Sequence, residues 1–472
     1  MSNSIFRALV GAIICLVVWQ GWRRRKASNI AAYRPAGLPF VAAAARYAKN
    51  PIGTIRNATE ECGAIFSIQL LNMSQVWLRG NDLNKVYLET REDVWSFGGG
   101  MGIFLNRILD TGFWDNVKPL LGSLSRWLNR AQTLDYIAEI TDQEAEKCFR
   151  ACETKDSFSL FEEVSGIVHR VIVRSLMGQD FYDESADDLL QLLHDIEADI
   201  GSLWNMVLPA WVPTLPARRL GAAKERYRTL FDHRLAERAL DPERWGNSRD
   251  YINHTLNDKA TQPLQSLLPS LHNLLMFAAH TSTVASISWT VVSIMRNPEV
   301  LDAVQKDLAE DTGLLHARML QASIRETSRF YAGMANLRLA RRNHTIPGTT
   351  KVVPAGSLVS MSPYLTHHDP ANFPEPDRWR PGRWISAERD LVEIDNKKEA
   401  KFVPFGAGTH RCVGEKMAGI VVSRTVALLL RRYHVEFSQD EGSIPFGDLD
   451  FARLGTPWLK GDVGLRITRK TK

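Results

Sequence analysis

One cysteine, Cys412, lies in the run Phe405-Gly406-Ala407-Gly408-Thr409-His410-Arg411-Cys412-Val413-Gly414, directly ahead of a helical pattern from Glu415 to about Arg432. A sulfur at that place meets the free amide N–H groups of a helix N-terminus, which favour its ionised form. A lone thiolate that donates strongly to iron favours cleavage of an O–O bond, the chemistry of a thiolate-ligated haem. The neighbours suit the same task. Gly406 and Gly408 let the backbone approach a flat macrocycle where a Cβ would obstruct it. Gly414 lets the first helical turn lie against the ring, His410 can donate to a propionate, and Phe405 can shield the sulfur from water. A buried structural cysteine in a glycine-rich loop is the alternative reading.

Two further groups have the types and spacing for chemistry. Thr281 follows His280 in a long apolar helix around Leu274-Leu275-Met276-Phe277-Ala278-Ala279, which is expected to end near Asn297-Pro298. The threonine hydroxyl can hold a water or a hydroperoxide. An imidazole can carry protons because it titrates near neutrality, although a lone histidine in an apolar helix is more often a satisfied core residue. Glu326 and Arg329 are three apart and so share a helix face. Alone, such a pair is usually a solvated ion pair worth little.

The run from Phe405 to Gly414 resembles the haem-binding loop of the cytochrome P450 family, F-x-x-G-x-[HR]-x-C-x-G, at every defined position. The resemblance implies haem b with Cys412 as the axial ligand of its iron. It implies that Phe405, Gly406, Gly408, His410 and Gly414 hold the cofactor and that Arg338, opening a β region, meets a propionate. Glu326-Thr327-Ser328-Arg329 is similar to the family's E-x-x-R, and Phe373-Pro374-Glu375-Pro376-Asp377-Arg378-Trp379 to its Pro- and Arg-bearing motif. Glu326, Arg329 and Arg378 are then expected to form a buried charged triad bracing the cysteine loop. The stretch Ala278 to Thr281 resembles the oxygen-binding helix [AG]-G-x-[DE]-T, with His280 in the place of the acid. That assigns the proton route to Thr281 and His280.

His280-Thr281-Ser282 looks like the sterol 14α-demethylase branch, as do Leu160-Phe161-Glu162-Glu163 and the stretch from Leu208 to Pro213 with Arg218-Arg219. The chain also departs from that branch. Phe97 to Phe104 lacks the branch's Tyr-Asp pair, and Phe277 is bulkier than its small residue. The family's propionate-anchoring W-x-x-x-R has no clean match, since Trp114 pairs with Lys118 and Trp127 with Arg130 at the wrong spacing. The departures favour a relative retuned for another rigid lipophilic polycycle, terpenoid or steroid-like, in specialised metabolism.

Several elements must position these residues. Ile5 to Trp22 is nearly all apolar, broken by Arg7 and Gln20, and Arg23-Arg24-Arg25-Lys26 follows. A helix rising about 1.5 Å per residue would cross a thin bilayer over that length. The cations behind it place the rest of the chain in the cytosol. The expected division is therefore a membrane anchor over 1–26 and one large domain over 27–472, on the endoplasmic reticulum. Residues 64–80 alternate as a hairpin closed near Asn72, and 337–360 carry strand-like composition with turns at Pro347-Gly348 and Pro354-Ala355-Gly356. Between them apolar residues recur at three and four, as in Leu189, Leu190, Leu193 and Ile196. The expected fold is mainly α with a small β region, the cytochrome P450 fold.

A net charge of +5 without a Lys/Arg stripe excludes nucleic acid as a partner and suits an acidic protein or membrane. No pair of the five cysteines has the C-x-x-C spacing of a zinc site, and Cys148 and Cys152, four apart on one helix, read as buried thiols of a reducing compartment. The leading expectation is a monooxygenase using O₂ and electrons from NADPH through a membrane-bound cytochrome P450 reductase that docks near Arg411 and Lys416. The alternatives are a sterol 14α-demethylase, an O₂-independent haem-thiolate isomerase or dehydratase, and a non-catalytic haem-binding protein.

Overall fold

The structure is a computed structural model that describes residues 29–471 except 38–41, 71–72, 203–204, 206–211, 311–312, 315, 389, 452 and 454. The anchor expected over 1–26, the hairpin turn at Asn72 and most of the stretch from Leu208 to Pro213 lie outside the described residues.

Alternating apolar residues build one six-stranded sheet. Its strands are β1 (Ala31–Ala32), β2 (Ile65–Leu70), β3 (Met73–Leu78), β4 (Trp95–Ser96), β5 (Asn336–Ala340) and β6 (Leu358–Met361), in the order β1-β2-β3-β6-β5-β4. The hairpin expected over 64–80 is β2 and β3, running from Ile65 opposite Leu78 to Leu70 opposite Met73. Phe66, Ile68 and Trp77 pack with Ile55 and Ala58, while Val76 and Leu78 face a second cluster with Trp95 and Val359. Alternate residues thus serve opposite faces of the sheet.

Helices form the remainder. The ones that matter here are α1 (Asn81–Glu89), α2 (Phe97–Leu105), α3 (Val117–Leu128), α4 (Ala131–Cys152), α5 (Leu160–Ile172) and α6 (Gln179–Ile200). They continue with α7 (Leu215–Leu240), α8 (Leu268–Met295), α9 (Arg318–Phe330) and α10 (Glu415–Arg432). In α6 the expected apolar positions Leu189, Leu193 and Ile196 are buried, whereas polar neighbours such as Gln191 and Asp195 are exposed.

Helix α8 has no polar face because it crosses the middle of the molecule, touching α5, α7, α9 and α10. It opens with Pro269 in its first turn and stops before Asn297-Pro298, as proline stereochemistry requires. Among the described residues Gln262–Met295 alone is long and apolar enough to cross a membrane, and 78% of its 18-residue apolar window is buried inside the protein. It is the core helix. Trp289 anchors it, stacked 4.2 Å from Tyr331 and donating its indole N–H to Pro457 O at 2.8 Å. Truncating so large a buried ring costs about 3–5 kcal/mol.

Candidate active site

The cysteine loop is closed by its own backbone. Cys412 N–H donates to Phe405 O at 2.8 Å, and Gly408–His410 make a single tight turn between them. Gly406 and Gly408 adopt φ of +68° and +67°, and a Cβ on Gly408 would stand 3.1 Å from Leu88 O. Glycine is needed at both places for its left-handed backbone. Helix α10 starts one residue after Gly414 without a side-chain cap, so its first amides are free for other acceptors. The N–H groups of Gly414 and Glu415 bond to the Cys412 sulfur. Burial pushes the thiol up, and these amides offset part of that rise. The Cys412 side chain still reaches solvent, whereas Cys62 is half-buried and Cys148 and Cys152 are buried.

This donor set fits the implied haem. It offers one accessible soft sulfur, two amides to hold its charge, and a glycine backbone where side chains would crowd a flat ligand.

The brace behind the loop centres on Glu326. Arg329 binds it through Nε and Nη2, both at 2.9 Å, and the two side chains are fully buried. Glu326 also accepts from Arg383 Nε at 3.1 Å, Arg380 N–H at 2.8 Å and the Trp384 indole at 2.8 Å. The expected third member, Arg378, is not part of this cluster. Its guanidinium is 69% exposed and lies 3.5 Å from Glu375. Only its carbonyl reaches Arg329, at 3.4 Å. The cause is local geometry: a 3₁₀ turn over Pro381–Trp384 swings Arg383 and Trp384 toward α9.

One connecting residue had no signal in the spacing of the sequence. His367 is fully buried, holds the backbone of α9 through Nδ1 and Arg329 O (3.1 Å), and accepts Val403 N–H at Nε2 (2.9 Å). It links the brace to the segment entering the cysteine loop. Because Nε2 accepts, the ring is neutral with its proton on Nδ1.

Arg338 and His410 stand on the sheet side of the loop. Arg338 is buried over the Tyr87 ring (4.6 Å), donating to Thr90 O at 2.8 Å and Leu88 O at 3.4 Å. His410 stacks on Phe97, 5.0 Å between centroids, with Nε2 3.1 Å from Glu92 Oε2. Burial raises the Glu92 carboxyl, but His410, Ser96 and the Phe97 N–H outweigh it and hold it at about 2. Trp114 turns its indole to Asn106 Oδ1 at 2.7 Å, and Lys118 is exposed. On the face of Cys412, Arg411 is already matched by Glu415 (2.6 and 3.0 Å), while Lys416 bonds to the neutral Asn129 at 2.7 Å.

On α8 the sequence places Ala278, His280 and Thr281 within one turn. Ala278 is exposed in a stretch whose neighbours are mostly buried. Thr281 donates to Glu197 Oε1 at 2.6 Å, and His280 Nδ1 lies 3.2 Å from the same oxygen. A carboxylate only accepts, so Nδ1 carries a proton, and Nε2 lies 3.0 Å from Ser165 Oγ. Glu197, on α6, therefore brings an acid to a helix that has histidine at the acid's place. Arg453 Nη1 stands 3.2 Å from the other Glu197 oxygen and its guanidinium lies over Trp458 at 4.0 Å. Burial raises the Glu197 carboxyl, but the bonds from His280 and Thr281 and the Arg453 charge win and lower it. The strands β7 (Leu449–Asp450) and β8 (Trp458–Leu459) clamp this point, with the Trp458 indole donating to Thr281 O at 2.9 Å.

Comparison with known proteins agrees with this geometry. The Cytochrome P450 family model matches residues 34–456. Cytochrome P450 monooxygenase pyvB of Aspergillus violaceofuscus is 42% identical over 99% of this chain and 96% of its own. Cytochrome P450 monooxygenase pynD of Aspergillus niger is 44% identical over 95% of both. The rat lanosterol 14-alpha demethylase is more distant, 24% identical over 86% of this chain and 82% of its own. A solved cyanobacterial structure, retinoic acid-bound CYP120A1, superposes with a TM-score of 0.76 at 16% identity, covering 93% of this chain and 99% of that one. With an accessible cysteine at a helix start, a buried Glu–Arg brace and a threonine on the core helix, the chain belongs to the cytochrome P450 family, as a monooxygenase.

Proposed function

We propose that this monooxygenase oxidises a lipophilic, rigid polycyclic substrate, terpenoid or steroid-like, in specialised metabolism rather than in housekeeping sterol demethylation. Haem b bound through Cys412 would supply activation of O₂, with electrons from NADPH through a flavoprotein reductase. Phe405, Gly406, Gly408, His410, Gly414 and Arg338 would hold the cofactor, and Glu326, Arg329 and Arg383 would keep the loop in shape. Lys416, which no acid pairs among the described residues, suits an acidic reductase surface better than Arg411. Residues 1–26 would anchor the domain on the cytosolic side of the endoplasmic reticulum.

The observation that carries this reading is the chain from Thr281 through Glu197 to His280. The hydroxyl of Thr281 would position the reacting oxygen by hydrogen bonding, and Glu197, ionised at rest, would first take up a proton from solvent and then pass it to that hydroxyl to replace the one given up. Arg453 offsets the Glu197 charge and His280 donates a hydrogen bond to it, so the site keeps a buried acid without leaving a bare charge beside an apolar substrate.

The test is reconstitution of the full chain with NADPH and reductase, with metabolites profiled after gene deletion to supply the substrate. Product formation that consumes O₂ and NADPH supports the proposal. Conversion of the same substrate without either would make the protein an isomerase or dehydratase.

A further inference from the structure

Cys148 and Cys152 occupy successive turns at the end of α4, with the former nearly and the latter fully buried. Glu163, in the first turn of α5, extends its carboxylate to them, and Oε2 stands 3.3 Å from the Cys148 sulfur. The two sulfurs and a carboxylate oxygen all lie within 4.8 Å of one another. Buried thiols usually pack against hydrocarbon, and a carboxylate aimed at a thiol pair is a different arrangement.

We propose that Cys148, Cys152 and Glu163 form a site for one thiophilic divalent cation of the zinc class, tying the end of α4 to the start of α5. Tetrahedral zinc takes sulfur at about 2.3 Å and carboxylate oxygen at about 2.0–2.2 Å, which sets ligand atoms roughly 3.3–3.8 Å apart. Side-chain rotation of the partly exposed Glu163 closes the remaining gap. Two thiolates and a carboxylate against a divalent ion leave one negative charge, and Lys155 already sits against Glu163 to balance it. A fourth ligand would come from solvent, which the partly exposed Glu163 side admits. At present the Cys148 thiol donates to Glu163 Oε2 at 3.3 Å. Metal binding would release the thiol protons to solvent. The site is remote in sequence from Cys412, and neither thiol takes part in the cysteine loop.

The experiment uses the haem-loaded full chain, so that Cys412 is not free to bind metal. Protein equilibrated with Zn²⁺ is desalted, zinc is measured against iron, and affinity is read by competition with a chromophoric chelator. The expected result is one zinc per iron, lost in the C148S/C152S variant and weakened at least tenfold in E163Q. The reduced carbon monoxide spectrum should be the same in all three proteins. Equal zinc in the wild type and the double variant, or none in either, would overturn the proposal. If the double variant does not keep haem, E163Q decides, because its exposed edge tolerates substitution; an unchanged affinity there would remove the carboxylate and the site. Repeating the titration with Cd²⁺ adds a thiolate charge-transfer band in the near ultraviolet. Its absence from the wild type would equally count against two sulfur ligands.

Discussion

Thr281 and Glu197, 84 residues apart, share a 2.6 Å hydrogen bond that joins the core helix to α6. The bond gives Thr281 an acid that its own helix does not carry. Replacing Glu197 by Gln keeps an acceptor for the hydroxyl but removes the proton carrier. Glu197→Gln should slow product formation about 10²-fold or more, the usual size of a general acid contribution. The solvent deuterium isotope effect on turnover should rise while the reduced carbon monoxide spectrum stays unchanged. Unaltered turnover would take Glu197 out of the proton route.

Thr281 itself is predicted to control coupling. Thr281→Ala should keep NADPH consumption and raise hydrogen peroxide release at the expense of product. Thr281→Ser, which retains the hydroxyl, should restore most of the product yield. Equal peroxide from wild type and Thr281→Ala would remove the threonine from the mechanism.

The brace makes a prediction that separates two arginines five residues apart. Arg383 reads Glu326 and the carbonyls of Pro374, Glu375 and Arg378 with its fork, while Arg378 is exposed. Arg383→Ala should destabilise the fold by about 1–3 kcal/mol, because Glu326 keeps Arg329 but loses a charged donor and three carbonyls lose theirs. Arg383→Lys should recover little, because a point charge cannot span those acceptors. Arg378→Ala should stay within about 0.5 kcal/mol of the wild type. Thermal unfolding and haem loss to a haem-scavenging globin measure both.

Buried histidines set the acid limb of stability. Burial pushes His169, His272 and His367 to about 3 and His368 to about 4. Each has a folded value below its unfolded one of about 6.5, so the unfolded chain binds more protons in between. The stabilisation is complete above about pH 6.5 and is lost as pH falls toward the folded values. Haem release should therefore accelerate below about pH 6.5. His367→Gln, which keeps one donor and one acceptor, should flatten that dependence. A pH profile identical to the wild type would contradict the role given to His367.

Much of this was legible in the sequence, for identifiable reasons. The cysteine loop and the β2–β3 hairpin are local patterns, in which chemistry and backbone needs fall within about ten residues. Glu326 and Arg329 are also local, since helix geometry alone puts them on one face. Arg378 was expected in the place that Arg383 holds because Arg-Trp recurs within five residues, at 378–379 and 383–384, and only the second lies in the 3₁₀ turn against α9. Composition cannot choose between the two copies. Glu197 was invisible for another reason. Asp195 and Asp199 flank it at the same end of α6, and only packing on α8 shows which acid faces Thr281. His367 likewise acts through backbone atoms, which leave no mark on side-chain spacing.

The account rests on the sulfur of Cys412, and the reduced carbon monoxide difference spectrum of the full chain tests it most directly. The wild type should show the red-shifted Soret band of a thiolate-ligated haem, and Cys412→Ala should lose that band. A Cys412→Ala protein that keeps the band, or a haem-loaded wild type that never shows it, would contradict the assignment.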